Sequence, residues 1–289
     1  MRVTFLGTGG AVPTTARAPS ALLVNRDGER LLFDCGEGTQ RQMMRFGTGF
    51  SVSHLFVTHL HGDHVLGIPG LVQTWDFNDR EEPLAVHVPP GTRRHVRDLV
   101  RAAGHSPGFP VRVNEVSAGS VALRADEYEV RTFETAHRTA SVGYVLVEDD
   151  RRGRFDRERA EDELGIPPGP AYGRLHAGEA VELDDGRVIH PEEVVGPPRP
   201  GRRVAYTGDT RPVDATVEAA REAGRIAARA GARRLALTHI SSRYVGDAKR
   251  FVREASASFD GECFVAEDGT TVEVPYPDGD GGADAEGDG

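Results

Sequence analysis

The segment HLHGDH (59–64) contains four side chains that can bind a metal ion, namely His59, His61, Asp63 and His64. It follows an apolar stretch that is typical of a buried strand. His59 and His61 are two residues apart and therefore face the same side of an extended chain. Asp63 and His64 come after a glycine that permits a sharp turn, and they fall at a predicted helix start. One loop can thus serve two metal ions. The alternative, a polar loop in which Asp63 caps the helix, leaves the three histidines unexplained.

Three further side chains of the same kind end other predicted strands: His137, Asp209 and His239. Each alone would be weak evidence, because a single histidine at a strand end is more often a packing or surface residue. Together with the first loop they indicate ligation, and a carboxylate such as Asp209 is suited to bridge two cations. Imidazole and carboxylate ligands favour zinc, with manganese or iron as competitors. The other histidines lack this context and are predicted to be structural or solvated: His54, His87, His95, His105, His176 and His190.

A pair of metal ions would give this site hydrolytic chemistry. Two cations held about 3.5–4 Å apart can share a hydroxide and hold a phosphoryl group during in-line attack. That geometry suits hydrolysis of phosphodiesters, but it also suits hydrolysis of amides and thioesters. The ligands alone therefore predict a hydrolase without naming its substrate.

The elements that must position these residues form two successive sets of strands and helices. A β-meander opens the chain, with a hairpin turn at 26–29 between two apolar strands. Two packed sheets with helices outside them, an α/β fold, are the expected result. After the last predicted helix, a final hairpin is expected. Four helices are predicted, at 64–77, 91–105, roughly 214–230 and about 245–258.

The composition is that of an ordinary globular protein without a membrane segment. Hydrophobic residues make up 38% of the 289 residues and charged residues 28%. No apolar run is long enough to span a bilayer, and the N-terminus does not resemble a signal peptide. Only Cys35 and Cys263 are cysteines, which predicts a reducing cytoplasm and no disulfide framework.

The negative charge is concentrated at the C-terminus. The net charge is −10, but residues 278–289 hold five acidic residues and no basic one, so the remainder carries only −5. This balance argues against indiscriminate binding to nucleic acid. We therefore expect a main domain over 1–277, followed by an acidic tail (278–289) that is disordered.

Residues 151–200 are rich in arginine, glycine and proline, and their apolar periodicity is weak. We interpret them as an inserted arm. The stretch RRGRFDRER (151–159) carries two acids and five arginines that could contact phosphates and make binding salt-dependent. The alternative is a solvated charged segment, which is the usual meaning of such a run. The arginines are Arg151, Arg152, Arg154, Arg157 and Arg159.

Longer segments resemble the ribonuclease Z family of the metallo-β-lactamase superfamily. The loop at 59–64 and the later histidines and aspartate are similar to the superfamily motif H-x-H-x-D-H and its later ligands. The stretch LLFDCGEGTQRQM (31–43) is the most diagnostic part of the resemblance. The similarity runs from about residue 1 to 275. Further similar segments are FLGTGGAVPTTARAPSALLV, ETAHR, GPAYGRL (169–175), YTGDTRP (206–212) and LTHISSRY (237–244).

The resemblance implies a fold and a division of the ligands between two Zn²⁺ ions per chain. The fold would be an αββα sandwich with an inserted exosite arm at about 151–200. Asp63 matches the position that accepts a proton during the reaction. One ion would take His59, His61, His137 and Asp209. The other would take Asp63, His64, Asp209 and His239.

The resemblance also implies a substrate and a partner. The family's activity is endonucleolytic removal of the 3′ trailer from precursor tRNA, which leaves a 3′-hydroxyl on the tRNA and a 5′-phosphate on the trailer. Family members are homodimers in which the arm of one subunit holds the tRNA that the other cleaves. The loop 13–20 with Arg17 matches a loop near the RNA 3′ end, although a plain surface turn would explain it equally.

One segment of the family pattern is missing after Asp209. The family continues with a strand that ends in His-Glu-Ala-Thr and then a His-Ser-Thr segment, whereas here 208–220 runs directly into a predicted helix. The missing histidine and glutamate are family residues thought to protonate the leaving oxygen. Loss of a general acid costs about 10²–10⁴-fold in rate. Metal binding is still expected, but turnover is expected to be impaired.

Three hypotheses therefore remain open at this stage. The first is an endoribonuclease that processes the tRNA 3′ end, to which the segment 31–43 and the arginine-rich arm point. The second is a small-molecule phosphodiesterase or another hydrolase of the same fold, which would not need the arm. The third is an inactive remnant that binds metal and RNA without cutting.

Overall fold

The computed structural model describes residues 1–209, 216–244 and 247–279. The chain divides into two compact units. Unit 1 comprises 1–124, 130–146 and 204–274, and unit 2 comprises 125–129, 147–203 and 275–289. The predicted arm (151–200) falls within unit 2. Residues 280–289, most of the tail for which disorder was predicted, lie outside the described part of the chain.

The strands of the described residues are short. In chain order they are β1 (Arg2–Gly7), β2 (Gly9–Gly10), β3 (Ala21–Arg26), β4 (Glu29–Phe33), β5 (His54–Phe56), β6 (Leu84–Val88), β7 (Val111–Glu115), β8 (Val121–Arg124), β9 (Tyr128–Glu134), β10 (Val142–Glu148), β11 (Val181–Glu182), β12 (Val188–Ile189), β13 (Arg203–Tyr206), β14 (Arg234–Leu237), β15 (Ile240–Ser241), β16 (Glu262–Val265) and β17 (Thr271–Glu273). The α-helices are α1 (Thr39–Arg45), α2 (Gly62–Val65), α3 (Ile68–Phe77), α4 (Arg93–Val100), α5 (Pro170–His176), α6 (Thr216–Arg229) and α7 (Ala248–Ser256).

Two larger sheets carry unit 1. The first has seven strands in the order β17-β1-β3-β4-β5-β6-β7, antiparallel from β17 to β4 and parallel from β4 to β7. The second has the order β13-β10-β9-β8. Two small parallel pairs, β14 with β16 and β15 with β2, complete this part of the fold. The loops that follow β5, β9, β13 and β14 carry the predicted metal ligands.

The two larger sheets face each other across a buried aromatic layer. The Tyr144 hydroxyl on β10 donates a hydrogen bond to the Val57 carbonyl, 2.9 Å away. Its ring centroid lies 5.3 Å from that of Phe56 and 6.1 Å from that of Phe33. All three aromatic side chains are fully buried. Burial of apolar surface on this scale is the main force that holds the layers together.

Helices cover the outer sides of these layers. Met43 of α1, Leu71 of α3 and Val96 of α4 pack with Leu55 of β5 in one buried cluster. Phe251 of α7 packs in a separate cluster with Leu237 and Ile240 of the β14–β15 region. Two facing sheets with helices packed against strands agree with the predicted αββα sandwich.

The hairpin turn predicted at 26–29 is confirmed. Arg26 pairs with Glu29 in the β3–β4 register. The two residues between them, Asp27 and Gly28, have φ angles of 50° and 101°. Two consecutive positive φ values are typical of the tight turns that match the twist of antiparallel strands.

The hairpin predicted near the C-terminus is wrong. Its two strands belong to different sheets, because β16 pairs with β14 and β17 pairs with β1. The turn between them is held by the Asp268 carboxylate, which accepts hydrogen bonds from the Thr8 backbone, the Thr8 hydroxyl, the Ala18 backbone and the Gln42 amide at 2.6–2.9 Å. Tertiary hydrogen bonds thus override the local pairing that the sequence suggested.

Helix boundaries also differ from the predictions. The helix predicted at 64–77 is broken into α2 and α3, and Gly67 lies at the break. A Cβ atom at position 67 would lie 2.0 Å from the Gly36 carbonyl oxygen. Only glycine therefore lets the chain pass this close to the loop that follows β4. The helix predicted at 91–105 covers only Arg93–Val100. The sequence analysis did not predict α1 or β7.

The predicted arm has a small apolar core of its own. Six buried residues of unit 2 pack together there, although the weak periodicity of this region suggested no core. Short elements with irregular connections bring them together, which explains why no helical or strand period was visible. The residues are Ala160, Ile166, Leu175, Val181, Ile189 and Val194.

Candidate metal centre

The loop after β5 places its four predicted ligands around one point. His59 is completely buried, whereas His61 is exposed at the mouth of the site. Asp63 and His64 lie in the first turn of α2. The Asp63 side chain does not cap this helix. Its Oδ2 atom instead accepts a hydrogen bond of 2.7 Å from the Ala11 backbone, so the capping alternative raised for Asp63 is wrong.

The other three predicted ligands reach the same point from separate strands. His137 follows β9, Asp209 follows β13, and His239 lies between β14 and β15. His239 has a φ angle of 59°, a conformation that is uncommon for a residue other than glycine. It packs against Gly10, where a Cβ atom would lie 2.6 Å from the His239 Nδ1 atom. Strain of this kind, held by its surroundings, is typical of functional sites.

Two ligand groups result, with Asp209 between them. His59 Nε2 lies 3.0 Å from His61 Nδ1, and His137 Nε2 lies 3.3 Å from the same Nδ1 atom. Asp209 Oδ2 is 3.7 Å from His59 Nε2. The ligand atoms of these four residues all lie within 4.8 Å of one another. This arrangement corresponds to the first predicted metal position.

The second group surrounds the other oxygen of the same aspartate. Asp209 Oδ1 lies 3.0 Å from His239 Nε2 and 3.2 Å from His64 Nε2. Asp63 Oδ2 lies 3.0 Å from His239 Nε2 and 3.6 Å from His64 Nε2. The structure therefore brings all seven predicted residues together, and each carboxylate oxygen of Asp209 is directed at one group.

His64 Nε2 and Asp209 Oδ1 are buried 3.2 Å apart without a well-aligned hydrogen bond. The charge of Asp209 favours the protonated form of His64 when no metal is bound. A cation could replace that proton, because a neutral imidazole nitrogen and a carboxylate oxygen are metal ligands. The donor set and the buried contact between His64 and Asp209 thus fit a metal centre.

Asp34 supports this centre, and the sequence analysis missed it. Its fully buried Oδ2 atom lies 2.7 Å from His64 Nδ1. The Thr58 backbone and the Tyr206 hydroxyl donate to the same carboxylate at 2.8 and 3.0 Å. A carboxylate on the far nitrogen of a ligand histidine fixes the orientation of its ring. The sequence did carry one signal for it, because Asp34 stands at the end of an apolar strand within the segment 31–43.

Burial and charge shift the pKa values of the ligands in different directions. Burial lowers the pKa of His59 to about 4. Burial also opposes the charged form of His64, but Asp34 and Asp209 outweigh it and raise the His64 pKa to about 10. Burial acts against ionisation of Asp63 and Asp209, yet neighbouring histidines hold the pKa of both carboxyls below its ordinary value. Both aspartates are therefore ionised at neutral pH, as metal ligands must be.

The arginines that are predicted to contact RNA differ in how exposed they are and in what they bind within the protein. Arg17 donates 2.6 Å hydrogen bonds to the Thr8 hydroxyl and the Ala266 carbonyl, so its guanidinium holds the loop 13–20 against unit 1. Arg151 is mostly covered, with 19% of its side chain exposed. Four others on the arm are exposed: Arg152, Arg154, Arg157 and Arg159.

Comparisons with known proteins place this site in context. The chain is 65% identical over 310 aligned positions to the ribonuclease Z of Haloferax volcanii, and the match covers 98% of each chain. It is 62% identical to the ribonuclease Z of Halorubrum lacusprofundi, covering 97% of this chain and 99% of the relative. The crystal structure of the short form of human tRNase Z superimposes with a TM-score of 0.61 at 25% identity, covering 96% of this chain and all of the other.

Two further findings bear on the interpretation of the chain. The family model described as Anti-Pycsar protein Apyc1 matches residues 1–106, which include the loop 59–64. In addition, the 310 positions aligned with the Haloferax volcanii relative exceed the 289 residues of this chain by 21, so at least 21 positions of that relative have no counterpart here.

Among the helices in the described part of the chain, none is long and apolar enough to cross a membrane.

Proposed function

This chain belongs to the ribonuclease Z family, and from that premise we propose that it cuts the 3′ trailer from precursor tRNA. The cut would leave a 3′-hydroxyl on the tRNA and a 5′-phosphate on the trailer. The observation that carries the proposal is the convergence of seven histidine and aspartate side chains on one open site in a chain so similar to ribonucleases Z. We further propose that the protein acts in the cytoplasm as a homodimer.

We propose that two Zn²⁺ ions occupy the site, one held by each ligand group, with Asp209 shared between them. Mn²⁺ and Fe²⁺ suit the same ligands. When bound, the ions would act as Lewis acids that neutralise charge on the attacked phosphodiester and favour deprotonation of the attacking water. The buried His64 nitrogen and Asp209 oxygen, which face each other without a well-aligned hydrogen bond, support this proposal.

The protein side chains would then position these groups and move the proton. Asp63 is ionised, and its Oδ2 atom is fixed by the Ala11 backbone and by His239, so it can accept a proton from the attacking water. Asp34 would keep the His64 ring directed at the site through its 2.7 Å contact. His61 is exposed, which leaves the site open to a substrate as large as RNA.

We propose that the exposed arginines of the arm contact phosphates of the tRNA. Arg152, Arg154, Arg157 and Arg159 provide charges that are complementary to an RNA backbone. The Arg17 guanidinium is engaged within the protein, so we propose that it shapes the loop 13–20 near the RNA 3′ end and that the backbone of this loop faces the substrate.

We propose that turnover is slow, because this chain lacks the segment expected after Asp209. The alignment with the Haloferax volcanii relative supports a loss of at least 21 positions. The residues directly after Asp209, 210–215, lie outside the described part of the chain. Without the family's general acid, we expect a rate about 10²–10⁴-fold below that of a complete relative.

A second candidate, a hydrolase of small phosphodiesters, is favoured by one observation. The family model that matches residues 1–106 is described by a name that does not mention RNA. That region contains the loop 59–64 but not the arm. A hydrolase of small phosphodiesters would not need the arm, whereas an enzyme that acts on precursor tRNA would. The two functions therefore differ in whether the arm is needed for activity.

The test incubates the purified chain with a trailer-bearing precursor tRNA, with and without a chelator, while bound metal is counted. The proposal predicts slow cleavage directly after the discriminator nucleotide, abolished by the chelator and by Asp63→Asn. Cleavage of a small phosphodiester but not of the precursor would overturn it in favour of the second candidate. Two bound ions without any cleavage would identify an inactive remnant.

A further inference from the structure

The segment 8–18 is fixed at both of its ends by one carboxylate. Asp268 Oδ1 accepts hydrogen bonds from the Thr8 backbone at 2.9 Å and from the Thr8 hydroxyl at 2.7 Å. Its Oδ2 atom accepts hydrogen bonds from the Ala18 backbone at 2.6 Å and from the Gln42 amide at 2.7 Å. Thr8 and Gln42 are buried. Hydrogen bonds to an ionised acceptor are stronger than neutral ones, so this carboxylate is a firm support for the segment.

The same segment reaches the candidate metal centre between these two fixed ends. The Ala11 backbone N–H donates a hydrogen bond of 2.7 Å to Asp63 Oδ2. Ala11 has a φ angle of 61°, a conformation that is uncommon for a residue other than glycine. Such a conformation persists only where its surroundings hold it. The direction of the Ala11 N–H therefore depends on what holds the segment on either side.

The two ends of the segment differ in their other supports. At the start, the Ile240 backbone donates a hydrogen bond of 2.9 Å to the Thr8 carbonyl, in line with the pairing of β15 with β2. At the return, Arg17 and Ala18 are bound to the turn after β16. Weakening this turn should loosen the return and the tip of the segment. His239, which precedes β15, should keep its place because the start remains paired.

We propose that Asp268 is a positioning residue for hydrolysis: by fixing the segment 8–18, it directs the Ala11 N–H to Asp63 Oδ2 and so orients the carboxylate that accepts the proton of the attacking water. A bound cation would hold Asp63 through its own bond, so Asp268 should affect this orientation more than it affects metal affinity. Only the effect on hydrolysis rests on the proposed function, because the support of Ala11 by Asp268 does not require a substrate.

The first measurement follows amide hydrogen exchange by NMR in the presence of chelator. Asp268→Asn places an amide group, which cannot accept hydrogen bonds, where one oxygen accepted two of them. Exchange of the Ala11 amide should then be at least about tenfold faster, because the amide is released more often from its charged acceptor. Asp63→Ala removes that acceptor and should have the same effect. The matched control is Asp76→Asn, since Asp76 holds a different loop through the Gly108 backbone.

The second measurement compares turnover of precursor tRNA and of bis(p-nitrophenyl) phosphate by the metal-saturated proteins. For Asp268→Asn, kcat should fall roughly tenfold or more on both substrates, because the proton acceptor is misplaced, whereas KM and the number of bound metal ions should not change. Thr8→Val keeps the shape of the side chain and removes one donor to Asp268, so it should give a smaller loss. Asp76→Asn should leave kcat unchanged. A thermal unfolding scan confirms that each variant is folded.

The outcomes separate this proposal from the proposed function. An Ala11 amide that exchanges equally fast in the wild-type protein and in Asp268→Asn would overturn the proposal. Faster exchange with an unchanged kcat would also overturn it, because the segment would then not orient the proton acceptor. If the wild-type protein cleaves neither substrate, the proposed function fails, and the exchange rates alone decide whether Asp268 directs the Ala11 N–H to Asp63.

Discussion

The three sheets that supply the candidate metal centre support it unequally. In the seven-stranded sheet, β5 lies between β4 and β6, and the loop that follows it carries four ligands, of which His59 and His64 are fully buried. Among the described residues, β13 and β14 are each the last strand of their sheet, with a neighbouring strand on one side only. Asp209 and His239 follow these two edge strands. The ligands of the first loop are thus fixed by a continuous sheet, whereas the shared aspartate depends on a weaker support.

This difference bears on the segment that is expected after Asp209 but is missing from this sequence. The segment expected after Asp209 would belong beside β13 and β14, at the two strand edges that the structure leaves without a second neighbour among its described residues. The seven ligands still converge, because the loop after β5 holds four of them and the other three each follow a strand of their own. We therefore expect this chain to bind metal even if its turnover is impaired.

The largest expected effect comes from removing the shared ligand. Asp209→Ala should abolish binding of both ions, since each ligand group uses one of its oxygens. Activity should fall by at least about 10³-fold, because a catalytic metal contributes several kcal/mol. His137→Ala is the control that touches one group only and should leave one ion bound. Equal loss of metal in the two variants would show that Asp209 is not shared.

Restoring the missing segment should have the next largest effect. A chimera carries, after Asp209, the corresponding segment of the Haloferax volcanii relative. Its turnover of precursor tRNA should rise about 10²–10⁴-fold if the segment brings the general acid. An insert of equal length in which its histidine and glutamate are replaced by alanine is the control. An unchanged rate in the chimera would contradict the interpretation that turnover is impaired by the deletion.

Loss of the buried support behind His64 should have an intermediate effect. Asp34→Asn keeps the size of the side chain but removes its charge, and we expect metal affinity to fall about 10–100-fold. The comparison variant is Asp268→Asn, whose carboxylate holds the turn after β16 and does not contact a ligand. Titration with a metal indicator gives both affinities. If Asp34→Asn retained full affinity, the assigned role of Asp34 would be wrong.

Metal binding should weaken as the pH falls. The His64 pKa is raised to about 10, so its ring is protonated at pH 7 in the metal-free protein and must lose a proton to bind. His59 has a pKa of about 4 and is already neutral, so it adds nothing at this pH. Affinity should rise as the pH rises from 6 to 8, because binding of metal displaces the proton of His64. Calorimetry in buffers of different ionisation enthalpy measures that proton, and zero release would contradict the assignment.

The smallest effect is expected on the arm. Arg157→Gln removes one exposed charge and should lower the slope of log affinity for tRNA against log salt by about 0.7–0.9. Arg94→Gln on α4 is the matched control outside the arm. Slopes that change equally in both variants would indicate a general charge effect instead of a contact made by the arm.

The sequence predicted the ligands well because their signals are local. Four of them lie within one hexapeptide, and the other three each end a stretch with a clear strand pattern. Asp34 was missed because its role depends on a contact with His64, which is 30 residues away in the chain. The final hairpin was wrong for a similar reason, since Asp268 binds partners about 226–260 residues distant. Local patterns specify elements, whereas pairing and support arise from contacts that only the folded chain makes.

We expect seven side chains to hold two cations that share Asp209. Anomalous diffraction from crystals of the zinc-loaded protein would locate the two ions. Two peaks about 3.5–4 Å apart are expected, with one oxygen of Asp209 directed at each. A single peak, or two peaks that leave Asp209 or His239 uncoordinated, would contradict it.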